Sequence, residues 1–198
     1  MILKDKIISI HSPLLSTYLD TVKQVSTMGH VLDLACGRGR NGLYLLANDI
    51  AVTFADINAT ALEELKNDIA ALHPSIDVDK REFWLVDFEQ GKDNVFANRQ
   101  FAAVLVFRYL HRPLFSQLKQ AILPGGLVIY ETFTREQAAI GRPKRAEFLL
   151  EKDELAQIFS DWNILYKFEG IVDKTDGSGK QAIAQIVAQK PLTNHSKG

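Results

Sequence analysis

A short apolar segment that runs directly into a glycine-rich turn constrains this chain more than any other feature of its sequence. Val31–Leu34 has the character of a buried strand, and Gly37, Gly39 and Gly42 follow it at the start of an apolar helix over residues 41–47. Glycines at this spacing permit a tight turn and a close approach of the backbone to a ligand. The unit predicts a parallel sheet whose ligand lies beyond the carboxyl ends of the strands.

The rest of the chain continues this alternation of strand and helix. Further helices are predicted over residues 11–26, from Asn58 or Thr60 to Ala71, over residues 113–122 and over residues 152–159. Further strands are predicted over residues 51–55, 83–86, 101–107, 127–130, 162–169 and 181–188. Five strands separated by helices indicate an α/β fold with a Rossmann-like, mostly parallel, doubly wound sheet. The last two strands form a hairpin that adds an antiparallel edge, which gives seven strands in all.

Length and composition fit one globular domain over residues 1–198, with an N-terminal helical segment over residues 1–28. The chain is 46% hydrophobic and 24% charged, with a net charge of −1, which argues against a disordered chain or a strongly basic nucleic-acid coat protein. Its longest apolar run, Phe101–Phe107, is too short to cross a bilayer, and its first residues lack the apolar core of a secretory signal. We expect a cytoplasmic protein with no membrane partner; the sequence leaves the oligomeric state open.

Acidic side chains stand where each of the first three strands ends. Asp33 precedes the glycines, Asp56 ends the second strand and Asp87 follows the third. A carboxylate at Asp33 can pair with a cationic ligand group but would repel a pyrophosphate at the turn. The carboxylate of Asp56 can accept hydrogen bonds from two hydroxyls. The glycine spacing also matches the dinucleotide motif, so an NAD-dependent oxidoreductase is an alternative interpretation.

The segment Asp33–Gly39, with the sequence Asp-Leu-Ala-Cys-Gly-Arg-Gly, resembles the first motif of class I S-adenosylmethionine-dependent methyltransferases. Ala35 replaces a glycine of that motif, a departure that we expect to cost little. The resemblance implies that S-adenosylmethionine is the cofactor and S-adenosylhomocysteine the product. It places Asp33 near the methionine ammonium group, Asp56 on the ribose, and Asp87 with Phe88 at the adenine. The cofactor-binding candidates are Asp33, Ala35, Cys36, Gly37, Gly39, Asn41, Asp56, Ile57, Asp87, Phe88 and Phe107.

The chain is similar to one branch of these enzymes, the tellurite-resistance methyltransferases. The similarity lies in His11-Ser12, in Gly39-Arg40-Asn41, in Phe148–Leu155, and in Trp162, Tyr166–Gly170 and Thr175-Asp176. The segment Phe107–Pro113, the residues Asp173-Lys174 and Gln181 depart from that branch. The resemblance therefore implies methyl transfer to a small acceptor, with an anionic or chalcogen-containing molecule as the leading candidate.

Basic residues are concentrated between the fourth strand and the region after the fifth strand. Arg108 and His111 directly follow the fourth strand and are the candidate catalytic residues: the first offers a planar fork of donors and the second a base or donor. Residues 132–150 form a candidate lid that would bring positive charge over the acceptor. The substrate-binding candidates are His11, Arg112, Arg142 and Arg145.

Two further interpretations remain beside small-molecule methyl transfer. One is a methyltransferase that acts on RNA or another nucleic acid. The near-neutral net charge argues against this partner, because it attracts phosphate groups only weakly. The other is a module that binds S-adenosylmethionine without turnover. The histidines His30, His73 and His195 are too widely spaced to suggest a local metal motif, and we assign no metal.

Overall fold

One seven-stranded sheet runs through the structure, a computed structural model that describes residues 11–72, 77–90 and 94–192. The strands are β1 (Val31–Leu34), β2 (Val52–Asp56), β3 (Arg81–Leu85), β4 (Phe101–Phe107), β5 (Ile122–Phe133), β6 (Asn163–Asp173) and β7 (Lys180–Gln189). The helices are α1 (Pro13–Thr17), α2 (Leu19–Ser26), α3 (Arg40–Ala47), α4 (Ala59–Leu72), α5 (Phe115–Ala121), α6 (Gln137–Ile140) and α7 (Glu154–Ile158). Single 3-10 turns cover Val78–Lys80, Arg112–Leu114 and Ala146–Phe148.

The strands lie in the order β3-β2-β1-β4-β5-β7-β6. The pairs from β3 to β5 are parallel, and β7 runs antiparallel to both β5 and β6. This arrangement confirms the predicted α/β class with its doubly wound, mostly parallel sheet and its antiparallel hairpin. The strand order reverses between β1 and β4, so the carboxyl ends of these strands flank the crevice in which such folds bind ligands.

The two faces of the sheet are covered by two separate apolar clusters. In β1, Leu32 and Leu34 belong to one cluster, whereas Val31 belongs to the other. β4 divides in the same way, because successive side chains of a strand point to opposite faces. All seven residues of β4 are buried, which is why this strand appears in the sequence as an unbroken apolar run.

The boundaries differ from the prediction at the ends of several elements. The predicted helix over residues 11–26 is divided at Tyr18, which separates α1 from α2. Asn58, not Thr60, caps α4, because its Oδ1 accepts the backbone N–H of Ala61 at 3.0 Å. β3 ends at Leu85 rather than at residue 86, and β5 begins five residues early, at Ile122.

The C-terminal hairpin extends further than the sequence predicts. β6 continues to Asp173 and β7 begins at Lys180, and these two residues still pair with each other. The pairing of β5 with β7 ends at Phe133 and Ile183, so the hairpin projects beyond the sheet as a two-stranded arm. Residues 1–10 of the predicted N-terminal segment, with His73 and His195, lie outside the described residues. In the part of the chain that the structure describes, no helix is long and apolar enough to cross a membrane.

Candidate functional site

The glycine turn between β1 and α3 is fixed by packing on its inner side and open on its outer side. Gly39 has a φ of +68°, and a Cβ there would stand 2.6 Å from Leu65 and 3.0 Å from Phe54. A Cβ at Gly42 would stand 2.3 Å from Phe54. Gly37 also has a positive φ, of +55°, but a Cβ there would meet no atom of the described residues within 4 Å. The backbone of Gly37 is therefore the part of the turn that a ligand can approach.

Asp56, at the end of β2, holds this turn against the neighbouring strand. Its Oδ2 accepts the N–H of Gly37 at 2.7 Å, and its Oδ1 accepts the N–H of Asn58 at 2.9 Å. A carboxylate offers about four lone-pair positions, so two remain for further donors. The side chain is thus both a structural brace and an available acceptor, directly beside the open backbone of Gly37.

Asp33 is buried under the turn, and only 3% of the residue's surface is exposed. Its Oδ2 accepts the N–H of Gly42 at 2.8 Å. Burial raises the pKa of Asp33 to about 7; the Gly42 N–H and the positive charge of Arg40 oppose this shift, and Asp56 adds to it. The predicted partner of a cationic ligand group is therefore a buried carboxyl whose first role is to fix the turn.

The remaining small side chains of the turn serve its geometry. Ala35 has a φ of +52°, a left-handed conformation that costs an alanine about 1–2 kcal/mol, so the replacement of glycine is more costly than the sequence suggested. Burial and the charges of Asp33 and Asp56 raise the pKa of the Cys36 thiol far above its usual range, which makes it unreactive. The Oδ1 of Asn41 accepts the backbone N–H of Ser12 at 2.9 Å and so ties the N-terminal segment to the turn.

Three predicted cofactor-binding residues follow the carboxyl ends of two strands: Ile57 follows β2, and Asp87 and Phe88, the residues predicted at the adenine, follow β3. Ile57 is 64% exposed, although it directly follows the buried strand β2. The Oδ1 of Asp87 accepts the N–H of Glu89 at 2.8 Å. Phe88 is buried and packs against Trp84 and Phe96, with ring centroids 5.6 and 5.8 Å apart. An exposed isoleucine and a carboxylate thus stand at the edge of the cleft, whereas Phe88 belongs largely to the core.

A cavity of about 690 Å³ opens beside the turn, beyond the carboxyl ends of β4 and β5. Its wall combines residues from the N-terminal segment, from the strand ends and from the hairpin arm. The lining residues are His11, Ser12, Pro13, Arg40, Phe107, Arg108, Glu131, Phe133, Tyr166, Phe168, Val172, Asp173, Lys174, Thr175, Asp176, Gln181, Ile183 and Gln185. The structure therefore brings three of the predicted residues, His11, Phe107 and Arg108, to one cavity.

Arg108 is held rigidly in the cavity wall. Its Nη2 lies 3.0 Å from Oε1 of Glu131 and donates to Oε1 of Gln181 at 3.0 Å. Its guanidinium carbon stands 4.5 Å from the centroid of the Phe133 ring. Burial lowers the pKa of Arg108, and the buried Glu131 carboxylate opposes that shift, while nearby Arg40 adds to it. The ion pair with Glu131 offsets the charge of Arg108, whereas the Nη1 of the same guanidinium is buried without a hydrogen-bond partner among the described residues.

Further hydrogen bonds link Glu131 on β5 to Gln185 on β7 and then to Tyr166 on β6. Nε2 of Gln185 donates to Oε2 of Glu131 at 2.5 Å, and the hydroxyl of Tyr166 donates to Oε1 of Gln185 at 3.2 Å. The Tyr166 ring is also in tilted contact with the ring of Tyr18, at 6.1 Å between centroids. This chain of bonds fixes the orientation of each polar group that it contains.

The histidine that lines the cavity is His11, not His111. His11 stacks on Tyr44 with ring centroids 3.7 Å apart and planes 5° apart. His111, predicted as a catalytic residue, is half-buried and does not line the cavity. The reason is local: Arg108 has a φ of +62°, which turns the chain directly after β4, and Leu110 is then buried in the core.

Arg112 also lies away from the cavity that it was expected to line. Its Nε and Nη2 donate to the two carboxylate oxygens of Glu154 at 2.7 and 2.8 Å. The guanidinium further donates to the carbonyls of Glu147 and Leu149. Substrate binding by Arg112 stays a prediction; in the structure, the side chain braces the segment that leads into α7.

The basic residues of the candidate lid, residues 132–150, do not line the cavity either. Arg142 and Arg145 are exposed, and Arg145 forms an ion pair with Glu147. The segment is bound to the rest of the fold: Thr134 bridges Leu150, and the buried Gln137 accepts the N–H of Ala182 at 2.8 Å. Its closure over an acceptor stays a prediction, and the structure gives Arg142 and Arg145 no contact with the cavity.

Sequence reasoning missed most of the cavity wall. Glu131 and Phe133 stand near the carboxyl end of β5, and Ser12 and Pro13 belong to the N-terminal segment. Most of the other missed side chains come from β6, β7 and the arm between them. One signal was available, because a glutamate inside an apolar strand needs a buried partner. Arg40 was also missed, although it directly follows the glycine turn. In residues 11–72, 77–90 and 94–192, no group of three or more His, Cys, Asp or Glu side chains could hold a metal ion.

Solved structures define the class of fold to which this arrangement belongs. The crystal structure of TehB from Haemophilus influenzae superposes with a TM-score of 0.65 at 22% identity, over 86% of this chain and 61% of that one. A glycopeptide N-methyltransferase, MtfA, complexed with S-adenosyl-L-methionine gives a TM-score of 0.59 at 15% identity, over 87% of this chain and 86% of that one. The fold is the seven-stranded one found in S-adenosylmethionine-dependent methyltransferases.

The sequence itself assigns the family. The family model described as "Tellurite resistance protein TehB" matches residues 3–188, and the chain belongs to that family. A relative from Haemophilus influenzae strain Rd, described as a probable S-adenosyl-L-methionine-dependent methyltransferase TehB, is 28% identical over 184 residues. That match covers 87% of this chain and 60% of the relative, so the chain spans about three fifths of the relative's length. The predicted family resemblance is confirmed.

Proposed function

We propose that this chain is a methyltransferase that uses S-adenosylmethionine and transfers its methyl group to a small-molecule acceptor. The proposal rests on one observation: the exposed backbone of the glycine turn and the large cavity lie at the same end of the sheet. The open backbone of Gly37, faced by the Asp56 carboxylate, lies at the same end of the sheet as the 690 Å³ cavity. Two residues of the cavity wall adjoin the turn or the strand end: Arg40 follows Gly39, and Phe107 is the last residue of β4.

The residues of the turn fit the groups of this cofactor. Asp56 has lone pairs left for the two ribose hydroxyls after bonding to Gly37 and Asn58. Arg40 lies near enough to Asp33 and to Arg108 to influence both of their pKa values. A guanidinium beside a carboxyl suits the carboxylate and ammonium groups at the methionine end. We assign Arg40 to the carboxylate and Asp33 to the ammonium, which it would favour electrostatically from beneath the turn.

The chemistry requires orientation more than acid–base assistance. S-adenosylmethionine supplies an electrophilic methyl carbon and leaves as S-adenosylhomocysteine when an acceptor atom displaces its sulfur in line. The protein's part is to hold the acceptor behind that carbon and to exclude water, and orientation alone can supply much of the acceleration. His11, stacked on Tyr44, and Arg108, paired with Glu131, are polar side chains of the cavity wall. They are the proposed acceptor-positioning residues.

The charge of the cavity favours neither anions nor cations strongly. Three basic side chains, Arg40, Arg108 and Lys174, line it together with the acidic side chains Glu131, Asp173 and Asp176. The predicted anionic or chalcogen-containing acceptor remains a proposal, and Arg40 and Lys174 support the anionic case. The acidic residues of the arm would repel nucleic-acid phosphates, which supports a small-molecule acceptor. We retain the cytoplasm as the proposed location.

The experiment that tests the proposal is a calorimetric titration with S-adenosylmethionine, S-adenosylhomocysteine and NADH. Asp56→Asn should weaken binding of both adenosyl ligands by about tenfold to a hundredfold, because hydrogen bonds to a charged group are lost. Asp68→Asn, the same change on the exposed face of α4, is the matched control and should bind as the wild type does. Thermal unfolding of both variants separates a binding defect from a folding defect.

Each alternative interpretation has its own outcome. Binding of NADH in place of the adenosyl ligands would restore the oxidoreductase interpretation. Tight cofactor binding without methyl transfer to any small acceptor would indicate a binding module. Methylation of RNA, with a strong dependence on salt concentration, would favour the nucleic-acid alternative.

A further inference from the structure

The strand β6 forms an open edge of the sheet. It is the last strand in the sheet order, and within the described residues it pairs with β7 alone. Its outer edge is therefore a row of backbone N–H and C=O groups that another strand could pair with. β6 has eleven residues, whereas β3, the strand at the opposite edge, has five. The longer of the two edges is the one that leads into the hairpin arm.

The side chains of β6 form a symmetric pattern around Phe168. Leu165 is 37% exposed and Ile171 is 54% exposed, so two large aliphatic side chains of this strand face solvent. Between them lie Lys167, which is exposed, and Glu169, which is half-buried. These two opposite charges are two residues apart and so point to the same face of the strand. An aliphatic and a basic side chain precede Phe168, and an acidic and an aliphatic side chain follow it.

Two copies of such a strand are complementary when they run antiparallel about a two-fold axis at Phe168. Lys167 of each copy then lies opposite Glu169 of the other, and opposite charges at directly facing positions stabilise a pair of strands. Leu165 of each copy lies opposite Ile171 of the other, so the exposed aliphatic side chains cover each other. Because the axis repeats every contact, the interface has two ion pairs and two aliphatic contacts of this kind.

The neighbouring registers lack this complementarity. Directly opposite residues of an antiparallel pair point to the same face, so the axis passes at a residue and not between two residues. An axis at Lys167 or at Glu169 would set like charges opposite each other, and an axis at Gly170 would set Glu169 opposite Ile171. In β3, the charged residues Arg81 and Glu82 are adjacent and point to opposite faces. No register of that edge against itself therefore sets them opposite each other.

A lysine and a bulge are features that ordinarily protect an edge strand from pairing. β6 has both, because Leu165 is an extra residue in its pairing with β7. The lysine of β6 is matched by an acid at the position that a second copy presents, so it disfavours other strands more than it disfavours this one. Glu169 keeps its Oε1 for the contact, since it is Oε2 that accepts the N–H of Asp153, at 3.0 Å.

We propose that this protein associates with a second copy of the same chain through the outer edge of β6, antiparallel and in the register centred on Phe168. The sheet then continues from one copy into the other. Residues 163–165 of the second copy lie beside the hairpin arm, whose residues Val172 and Asp173 line the cavity. Association therefore supports one wall of the cavity. The inference concerns an interaction surface and does not depend on the proposed methyl transfer.

The test is the oligomeric state of the full chain, measured by sedimentation velocity from about 1 to 200 µM. The wild type should show monomer and dimer in exchange, with the dimer predominant at the upper end. Lys167→Glu places two carboxylates opposite each other at both symmetric positions and should weaken the dimer by roughly tenfold or more. Glu169→Lys should do the same with two ammonium groups. Lys23→Glu, the same charge change on the exposed face of α2, is the matched control and should associate as the wild type does.

An exchange of charges separates this contact from any other route of association. Lys167→Glu combined with Glu169→Lys restores opposite charges across the axis and should recover the dimer. A mixture of the two single variants should form a dimer with one copy of each, because each variant supplies the charge that the other one needs. Thermal unfolding of every variant shows whether a loss of association reflects a loss of folding.

Hydrogen exchange locates the contact on the strand. The outward-facing amides within residues 166–170 should exchange more slowly at the upper concentration than at the lower one in the wild type. This difference should be absent in Lys167→Glu. A chain that stays monomeric over the whole concentration range, a dimer that both single variants leave intact, or a mixture of the single variants that does not associate would overturn the proposal.

Discussion

The glycine turn and the cavity wall adjoin each other but are built in opposite ways. The turn draws its ligand-facing atoms from ten consecutive residues, 33–42, and from one carboxylate on the neighbouring strand. The wall draws its polar groups from distant segments: the bond between Arg108 and Gln181 joins residues 73 positions apart, and that between Gln185 and Glu131 joins residues 54 apart. One region depends on backbone conformation, whereas the other depends on long-range side-chain pairing.

This difference teaches what each region can tolerate. In the turn, the backbone atoms do the binding, so the side chains need only be small enough to leave the backbone in place. In the wall, Arg108, Glu131, Gln185 and Tyr166 are linked by hydrogen bonds and an ion pair, so the loss of a single member leaves its partner unsatisfied. Changes in the turn should therefore act on folding and cofactor binding together, and changes in the wall should act on the acceptor.

The largest effect should come from filling the inner side of the turn. Gly39→Ala adds a Cβ 2.6 Å from Leu65 in a backbone conformation that disfavours alanine, and we expect a loss of about 4 kcal/mol in the free energy of unfolding. Gly177→Ala is the control, because it has a similar φ of +71° but no neighbour within 4 Å in the described part of the chain. It should lose about 1–2 kcal/mol, from the backbone alone. Urea denaturation measures both, and equal losses would refute the packing argument.

The next largest effect should come from breaking the ion pair in the wall. Glu131→Leu leaves the mostly buried Arg108 without its counter-charge, and we expect a loss of about 3 kcal/mol in stability. Arg108→Met combined with Glu131→Leu should recover most of that loss, since no buried charge remains. Both proteins should still bind S-adenosylhomocysteine, measured by calorimetry. Parallel loss of cofactor binding would show that the two regions are not independent.

A pH-dependent effect concerns the protonation of Asp33 beneath the turn. Its pKa is about 7 in the folded protein and near the ordinary value of 3.8 in the unfolded chain, so folding takes up a proton between those values. Stability should therefore be greatest below pH 4 as far as this group is concerned and should fall as the pH rises towards 7. Asp33→Asn removes this dependence while keeping an oxygen for the N–H of Gly42. Urea midpoints between pH 4.5 and 8 that run parallel in the two proteins would contradict the prediction.

The closure of the predicted lid, residues 132–150, stays a prediction, because the structure shows only where its basic residues lie. Basic residues after β4 and after β5 were predicted to bind the acceptor, but Arg112 is bound to Glu154 and Arg145 is paired with Glu147. The segment instead supports the hairpin arm, through the bond from the Ala182 N–H to Gln137. The arm, with Asp173, Lys174, Thr175 and Asp176, is what reaches the cavity. A sequence shows where charges are concentrated, but their partners come from other parts of the chain.

The sequence by itself determined the mostly parallel sheet, its antiparallel hairpin and the glycine turn. β1 and β4 have the predicted bounds, because fully buried strands are unbroken apolar runs and glycines with positive φ are a local steric requirement. It also determined the family to which the chain belongs.

Only the tertiary structure decided which side chains form the cavity wall. The positive φ of Arg108 directs His111 away from the cavity, and the pairing of β5 with β7 brings Glu131 and Gln185 together. The physical reason is that a turn is determined by the steric preferences of neighbouring residues. A hydrogen bond between residues 54 positions apart exists only once the strands that carry them have paired.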